Sequence, residues 1–91
     1  MFQYHIIVQG EVQGIGYRYF VIREAKQLKI TGWVRNLLNG DVEIMAEGEN
    51  ETLDIFANTL KTKHFYARVE NLKISKTEIA KNNFADFNIT F

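Results

Sequence analysis

A glycine-rich segment near the start of the chain carries the residues best suited to bind an anion. It joins a predicted strand to a predicted helix and reads Gly10-Glu11-Val12-Gln13-Gly14-Ile15-Gly16-Tyr17-Arg18. The backbone N–H groups of such a turn can point into one concavity, and the positive end of the helix dipole favours an anion there. The Arg18 guanidinium can contact two oxygens of a phosphoryl group at once. The segment therefore predicts a cradle for a phosphate or a carboxylate.

Two widespread phosphate-binding motifs do not fit this segment. A Walker A loop needs a Gly-Lys-Ser/Thr run, which does not follow these glycines. A Rossmann fingerprint needs a third glycine after Gly14 and Gly16, and Tyr19 stands in its place. From the residues alone, glycines that serve only the turn remain an alternative interpretation.

Asn36 is the second candidate, and it belongs to the segment Gly32-Trp33-Val34-Arg35-Asn36 at the C-terminal end of a predicted strand. One helical crossover separates this strand from the first, so the two strands run in the same direction and their C-terminal ends share one edge of the sheet. That edge also carries the glycine-rich segment and Arg18. The Asn36 carboxamide can both donate to and accept from a water molecule. An asparagine that merely ends the strand before the Asn39-Gly40 turn is the alternative.

Hydrophobic periodicity predicts the elements that position these residues. Alternation over 2–9, over 30–35 and over 42–47 indicates strands, and Asn39-Gly40 indicates a hairpin between the last two. Helical spacing predicts one helix from Tyr17 to Leu28 and a second through 53–60. Asn50 is the predicted N-cap of the second helix.

Two further strands complete the order β-α-β-β-α-β plus a short C-terminal strand. One includes Val69, Leu72 and Ile74 with a bulge expected near Asn71, and the last includes Phe87 and Ile89. This order predicts an α+β protein, a ferredoxin-like α/β sandwich with two helices on one face of an antiparallel sheet. We expect one domain over residues 1–91. Because this fold serves many functions, the function must be argued from the site.

Composition narrows the classes of function. The 91 residues include no cysteine, which excludes a thiol nucleophile and a cysteine zinc site. Eleven basic and eleven acidic residues give a net charge of zero, which argues against binding to nucleic acid or to a membrane surface. No apolar run approaches the roughly 20 residues of a membrane span. We therefore expect a cytoplasmic monomer.

The histidines and two glutamates of the chain are predicted to have no catalytic role. His5 and His64 are interpreted as surface or hydrogen-bonded residues, and no His/Asp/Glu cluster has the spacing of metal ligands. Glu43 and Glu47 share one strand face, and we predict that both are solvated.

The chain resembles the acylphosphatases essentially from end to end. Gly10-x-Val12-Gln13-Gly14-Ile15-x-Tyr17-Arg18 is similar to their first signature, with Ile15 where valine is usual. Gly32-Trp33-Val34-x-Asn36-x-x-x-Gly40-x-Val42, followed by Gly48, is similar to their second. Ala67-Arg68-Val69-Glu70 and Phe87-x-Ile89 fit as well.

The resemblance implies hydrolysis of a small-molecule acyl phosphate to a carboxylate and inorganic phosphate, without metal or cofactor. It assigns phosphate binding to Arg18 and positioning of the attacking water to Asn36. The backbone cradle would consist of Gln13, Gly14, Ile15, Gly16 and Tyr17.

Two positions depart from the family pattern. The turn that often contains Gly-Pro in the family reads Lys63-His64-Phe65-Tyr66 here, so the resemblance does not predict the shape of this turn. Glu11 places a negative charge near the cradle, where a basic residue is frequent, and would weaken anion binding if it faced inward.

Two other functions share this element order. An RNA-recognition module would need aromatic and basic residues in an RNP-like pattern on its central strands, whereas this chain has Gly-x-Val-Gln-Gly in a loop and no net positive charge. A regulatory or carrier unit is the second, because acylphosphatase-like domains occur at the N-terminus of larger carbamoyl-transfer proteins. We expect a free-standing protein because the chain stops at Phe91, just after the last strand.

Overall fold

The structure is a computed structural model, and it describes residues 1–64 and 66–91. The elements follow the predicted order, including the short strand at the end. They are β1 (Phe2–Glu11), α1 (Tyr17–Gln27), β2 (Thr31–Asn36), β3 (Val42–Gly48), α2 (Asn50–Thr62), β4 (Arg68–Glu78) and β5 (Phe87–Ile89).

The five strands form one sheet in the order β4-β1-β3-β2-β5. β1 and β2 both pair antiparallel with β3, so they run in the same direction, as the crossover predicted. The four longer strands pair antiparallel, as predicted, and the short β5 adds a parallel pairing with β2. β4 runs antiparallel to β1, so a single reversal of the chain after β4 directs β5 along β2.

Alternate residues of the central strands and one stripe of each helix make the core. Tyr4, Ile6 and Val8 of β1 are fully buried, whereas the residues between them are partly exposed. The predicted helical stripes join the same cluster, with these members: Tyr17, Phe20, Val21, Ala25, Leu53, Phe56 and Leu60. Each fully buried aliphatic side chain contributes about 1.5–3 kcal/mol to stability, so this packing fixes the positions of both helices on the sheet.

A bulge interrupts the pairing of β1 with β4 beside the glycine-rich segment. Gln9 pairs with Asn71 and Gly10 with Val69, so Glu70 is the extra residue, one position from the predicted bulge. Gly10 has φ 139°, and a Cβ there would collide with the carbonyl oxygen of Arg68. The first glycine of the segment is therefore required by the close approach of β4.

Asn50 is not the N-cap that its sequence position predicted. α2 begins at Asn50 itself, after an extended Glu49 whose side chain makes no capping hydrogen bond. The Asn50 Oδ1 atom instead lies 2.6 Å from the hydroxyl of the buried Tyr4, which also lies 2.6 Å from Asp54 Oδ1. A buried phenol needs a hydrogen-bond partner, and this requirement directs Asn50 away from the cap.

The two glutamates predicted to be solvated are held by neighbours. Glu47 is 1% exposed and accepts hydrogen bonds from Gln3 and from the backbone and side chain of Asn83. Glu43 lies 2.7 Å from His5 Nε2 and accepts a hydrogen bond from Arg35 at 2.6 Å. The prediction is wrong for Glu47 because the segment between β4 and β5 contacts this face of the sheet. His5 is a hydrogen-bonded residue, as predicted.

Candidate active site

The pairing of the strands brings the two candidate segments to one edge of the sheet. Val42 of β3 pairs with Val8 of β1 on one side and with Asn36 of β2 on the other. Val8 precedes the cradle by only a few residues. Asn36 also continues the alternation of Gly32 and Val34, which are buried, so it lies on the face of the sheet that carries α1. The topological prediction for Asn36 is confirmed.

The side chain of Gln13 joins the two segments directly. Its Nε2 atom donates to the carbonyl oxygens of Leu37 and Asp41, at 2.8 Å each. Leu37 and Asp41 close the turn that follows Asn36, because the Leu37 N–H donates to the Asp41 carbonyl at 2.8 Å. Sequence reasoning assigned only the backbone of Gln13 to the site and missed this role of its side chain.

The cradle backbone leaves its N–H groups available. Gly14 and Gly16 have left-handed φ angles of 79° and 77°, and Gly16 occupies the N-cap of α1 without a side-chain cap. Among the described residues, no acceptor receives the N–H groups of 13–19, and the first turn of α1 contains no acidic residue. Unsatisfied N–H groups at a helix N-terminus are a favourable environment for an anion.

Three side chains anchor the cradle to the core. Val12 is 1% exposed, and Ile15 packs against the core cluster. The hydroxyl of Tyr17 donates to the carbonyl of Leu60 at 2.7 Å, and burial raises the pKa of this phenol. Tyr17 therefore contributes a fixed neutral side chain, and its backbone is held at the start of α1.

Arg18 is the second residue of α1 and is half-buried. Its guanidinium carbon lies 5.9 Å from the centre of the Phe91 ring. Within residues 1–64 and 66–91, it makes no hydrogen bond or ion pair, so its N–H donors can all bind a ligand. The contact with Phe91 had no sequence signal, because 73 positions separate the residues along the chain.

Asn36 carries an unusual buried atom. Its Oδ1 is buried and has no hydrogen-bond partner among the described residues. A buried acceptor without a partner costs about 1–3 kcal/mol, so such an atom in a folded protein commonly marks a functional site. The atom lies at the edge and on the face where the cradle begins, which suits it to accept a hydrogen bond from a water molecule.

Glu11 and the turn before β4 were the two departures from the family pattern. Glu11 is exposed at the end of β1 and lies opposite Arg68 in the pairing of β1 with β4. The alternation of β1 places Glu11 on the opposite phase from Val8, away from the face of Asn36.

The predicted turn over residues 63–66 includes Phe65, which lies outside the described residues. Its neighbours are held by His64, whose Nδ1 accepts hydrogen bonds from the N–H groups of Tyr66 and Ala67 at 3.1 Å each. The His64 ring packs against Phe20 and Tyr17, with ring centres 5.0 and 5.6 Å apart. His64 therefore packs the turn against α1, behind the cradle.

The described side chains and helices also bear on metal binding and on membrane insertion. Apart from Phe65, which is not described, no group of three or more His, Asp or Glu side chains is placed to hold a metal ion. In the same described part of the chain, no helix is long and apolar enough to cross a membrane.

Comparisons with known proteins agree with this fold. The family model for acylphosphatases matches residues 4–89. The acylphosphatase of Bacillus licheniformis is 45% identical over 91 residues, which is all of both chains. That of Treponema denticola is 46% identical over 93% of this chain and 88% of its own. The crystal structure of the Bacillus subtilis acylphosphatase superposes with a TM-score of 0.94 at 38% identity, over all of both chains.

Proposed function

Because this chain belongs to the acylphosphatase family, we propose that it hydrolyses the carboxyl–phosphate bond of acyl phosphates to a carboxylate and inorganic phosphate. One observation carries the proposal for this chain. The buried, unpartnered Oδ1 of Asn36 shares an edge and a face with an uncapped helix N-terminus that also presents Arg18. This arrangement supports the proposal of an anion site with a holder for water beside it.

The phosphoryl group is bound by the cradle and by Arg18. Three of its oxygens accept hydrogen bonds from backbone N–H groups and from the guanidinium, whose flat fork matches two oxygens at once. The contributing backbone belongs to Gln13, Gly14, Ile15, Gly16 and Tyr17. Since charge spreads over these oxygens in phosphoryl transfer, donors fixed in place stabilise the transition state.

Asn36 holds the attacking water, whose hydrogen bond to Oδ1 directs its oxygen to the phosphorus. A new P–O bond forms, the bond between phosphorus and the acyl oxygen breaks, and the proton of the water passes to phosphate or solvent. The leaving carboxylate has a parent acid with a pKa of about 4, so it departs without a proton from the enzyme. Positioning and charge stabilisation therefore suffice, and no general acid is needed.

The reaction uses no metal and no cofactor, because donors of the chain itself neutralise the phosphoryl group. Its substrates are small-molecule acyl phosphates rather than nucleic acids or membranes. We further propose that residues 1–91 act as one domain, as a monomer and in the cytoplasm.

Hydrolysis of benzoyl phosphate in ¹⁸O-labelled water with EDTA present tests this function. The proposal predicts turnover with one labelled oxygen in the phosphate and none in the benzoate, because water attacks phosphorus. Label in the benzoate would place the attack at the carbonyl carbon and contradict the mechanism. Loss of turnover with EDTA would contradict the metal-free reaction.

A further inference from the structure

Two side chains that follow α2 contact α1 close to the cradle. Lys63 Nζ donates a hydrogen bond to Glu24 Oε1 at 2.8 Å, and Glu24 is only 5% exposed. The centre of the His64 ring lies 5.0 Å from that of Phe20 and 5.6 Å from that of Tyr17. Tyr17 is the first residue of α1 and belongs to the cradle. The contacts of His64 therefore reach the backbone that would bind the anion.

The His64 ring also holds the start of β4 through one nitrogen atom. Its Nδ1 accepts hydrogen bonds from the backbone N–H groups of Tyr66 and Ala67, at 3.1 Å each. An imidazole nitrogen accepts a hydrogen bond only while it carries no proton. The observed arrangement therefore requires a neutral ring with its proton on Nε2. A proton on Nδ1 would face two N–H donors, and both hydrogen bonds would be lost.

The charged surroundings of the ring offer nothing in exchange for these two hydrogen bonds. Charged or titratable side chains flank the ring on each element that touches it: Tyr17, Arg23 and Glu24 on α1, Lys63 and Tyr66 after α2, and Arg68 on β4. The Glu24 carboxylate is engaged by Lys63 at 2.8 Å and by Arg23 at 3.7 Å. Within residues 1–64 and 66–91, His64 makes no ion pair with a carboxylate.

We propose that neutral His64 is a positioning residue of the anion cradle and that protonation of His64 weakens anion binding there. The inference rests on the proposed function, in which this cradle holds the phosphoryl group. The His64 ring supports the Tyr17 ring, and the Leu60 carbonyl fixes the Tyr17 hydroxyl at 2.7 Å. With Tyr17 held by both contacts, the N–H groups at the start of α1 keep the directions that an anion requires.

Protonation of His64 has two opposing effects on an anion in the cradle. Loss of both hydrogen bonds to Nδ1 frees the ring, so the cradle keeps its binding shape in only a fraction of the molecules. The apparent affinity then falls by that fraction. The positive charge of the imidazolium alone would attract the anion and raise the affinity. The sign of the pH effect therefore distinguishes positioning by a neutral ring from attraction by a charged one.

Sulfate is a suitable probe, because this tetrahedral anion keeps its charge between about pH 5 and 8, where histidines change theirs. Its affinity is measured from the amide NMR shifts of Gly14 and Gly16 at about pH 5.5 and about pH 7.5, at constant ionic strength. We expect the wild-type chain to bind sulfate about 3- to 10-fold more weakly at the lower pH, as for the loss of one hydrogen bond.

Variants of both histidines assign this pH dependence. His64→Asn should abolish it, because the Oδ1 atom replaces Nδ1 as an acceptor and does not titrate. His64→Ala has no acceptor and should bind sulfate weakly at both pH values. His5→Gln is the matched control, because His5 is the other histidine of the chain and contacts Glu43 through Nε2. It should keep the wild-type pH dependence.

Three results would overturn the role of His64. These are equal pH dependence in wild type and His64→Asn, wild-type affinity in His64→Ala, and stronger sulfate binding by wild type at the lower pH. Absence of sulfate binding at either pH would overturn the cradle together with His64. Hydrolysis of benzoyl phosphate by the same wild-type sample tests the proposed function separately. A folded sample that binds sulfate as expected but does not hydrolyse benzoyl phosphate would overturn the proposed function and leave the role of His64 supported.

Discussion

The Gln13 side chain donates a hydrogen bond to the carbonyl oxygen of Leu37 at 2.8 Å, and it makes a second one to Asp41 at 2.8 Å. Gln13 belongs to the segment that precedes Arg18, and Leu37 follows Asn36 directly. One neutral side chain therefore sets the distance between the anion cradle and the residue that would hold the water. In reactions that depend on positioning, such a connection matters as much as the groups that touch the substrate.

Gln13→Leu removes both hydrogen bonds while keeping a side chain of similar size. Each bond contributes about 1 kcal/mol, so the free energy of unfolding should fall by about 1–3 kcal/mol. We expect kcat/KM for benzoyl phosphate to fall as well, because the cradle is no longer fixed relative to Asn36. Urea unfolding and steady-state kinetics measure the two effects. Gln27→Leu, at an exposed position of α1, is the control. Wild-type kinetics in Gln13→Leu would show that the connection has no role in catalysis.

Asn36→Ala should separate catalysis from both binding and stability. Without its holder the water is misplaced, and we expect kcat to fall on the order of 100-fold. Inhibition by inorganic phosphate should stay close to wild type, because the cradle and Arg18 are unaltered. The free energy of unfolding should change little or rise, since the substitution removes a buried acceptor that has no partner among the described residues.

One result would contradict the assignment of water positioning to Asn36 and phosphate binding to Arg18. If Asn36→Ala loses phosphate affinity while kcat survives, Asn36 binds the phosphoryl group and does not hold the water. Kinetics with phosphate as a competitive inhibitor distinguish the two cases in one experiment.

Glu47 makes the free energy of unfolding depend on pH in the acid range. Burial alone would raise the pKa of this carboxyl, but the hydrogen bonds from Asn83 and Gln3 outweigh it and hold the pKa below the ordinary value of 4.5. A carboxyl with a lowered pKa in the folded state contributes stability above its unfolded pKa. That contribution is lost as the pH falls through the folded value. The expected window for this loss therefore lies below about pH 4.5.

Glu47→Gln tests this dependence. The glutamine keeps one acceptor oxygen but turns an amide toward the donors of Asn83 and Gln3, so stability at pH 7 should fall by about 1–3 kcal/mol. Between pH 5 and 3 the variant should lose less further stability than the wild type. Glu51→Gln, exposed in the first turn of α2, is the control for a simple change of charge. Equal acid slopes in Glu47→Gln and wild type would contradict this account.

The main features of the fold could be predicted because they depend on local periodicity. Tyr4, Ile6 and Val8 alternate, and the Asn39-Gly40 pair marks the hairpin, so the strands and the shared edge of Asn36 and the cradle followed. The parallel pairing of β5 could not be predicted, because the sequence of a three-residue strand does not indicate which strand it pairs with. The direction of the chain after β4, and not the residue types of β5, determines this pairing.

The roles of single side chains that the sequence did not predict have one physical cause. Gln13, Asn50 and Glu47 are all held by partners far away in the sequence, which no local pattern contains. Asn50 is a good cap by residue type, but the buried hydroxyl of Tyr4 competes for its side chain. The strand pattern predicts that Glu47 is solvated, but the segment between β4 and β5 covers it. Backbone signals predict where a residue lies, whereas distant partners determine what its side chain does.

Arg18 provides the most direct test of the central claim that this chain holds a phosphoryl group between its cradle and one guanidinium. The measurement is the rate of benzoyl phosphate hydrolysis with EDTA present, for wild type, Arg18→Ala and Arg18→Lys, with Arg23→Lys on the exposed side of α1 as control. We expect both Arg18 variants to lose activity on the order of 1000-fold, because the lysine restores the charge but not the flat fork of donors. Arg23→Lys should keep wild-type activity. An Arg18→Lys variant that hydrolyses benzoyl phosphate at nearly the wild-type rate would contradict the account.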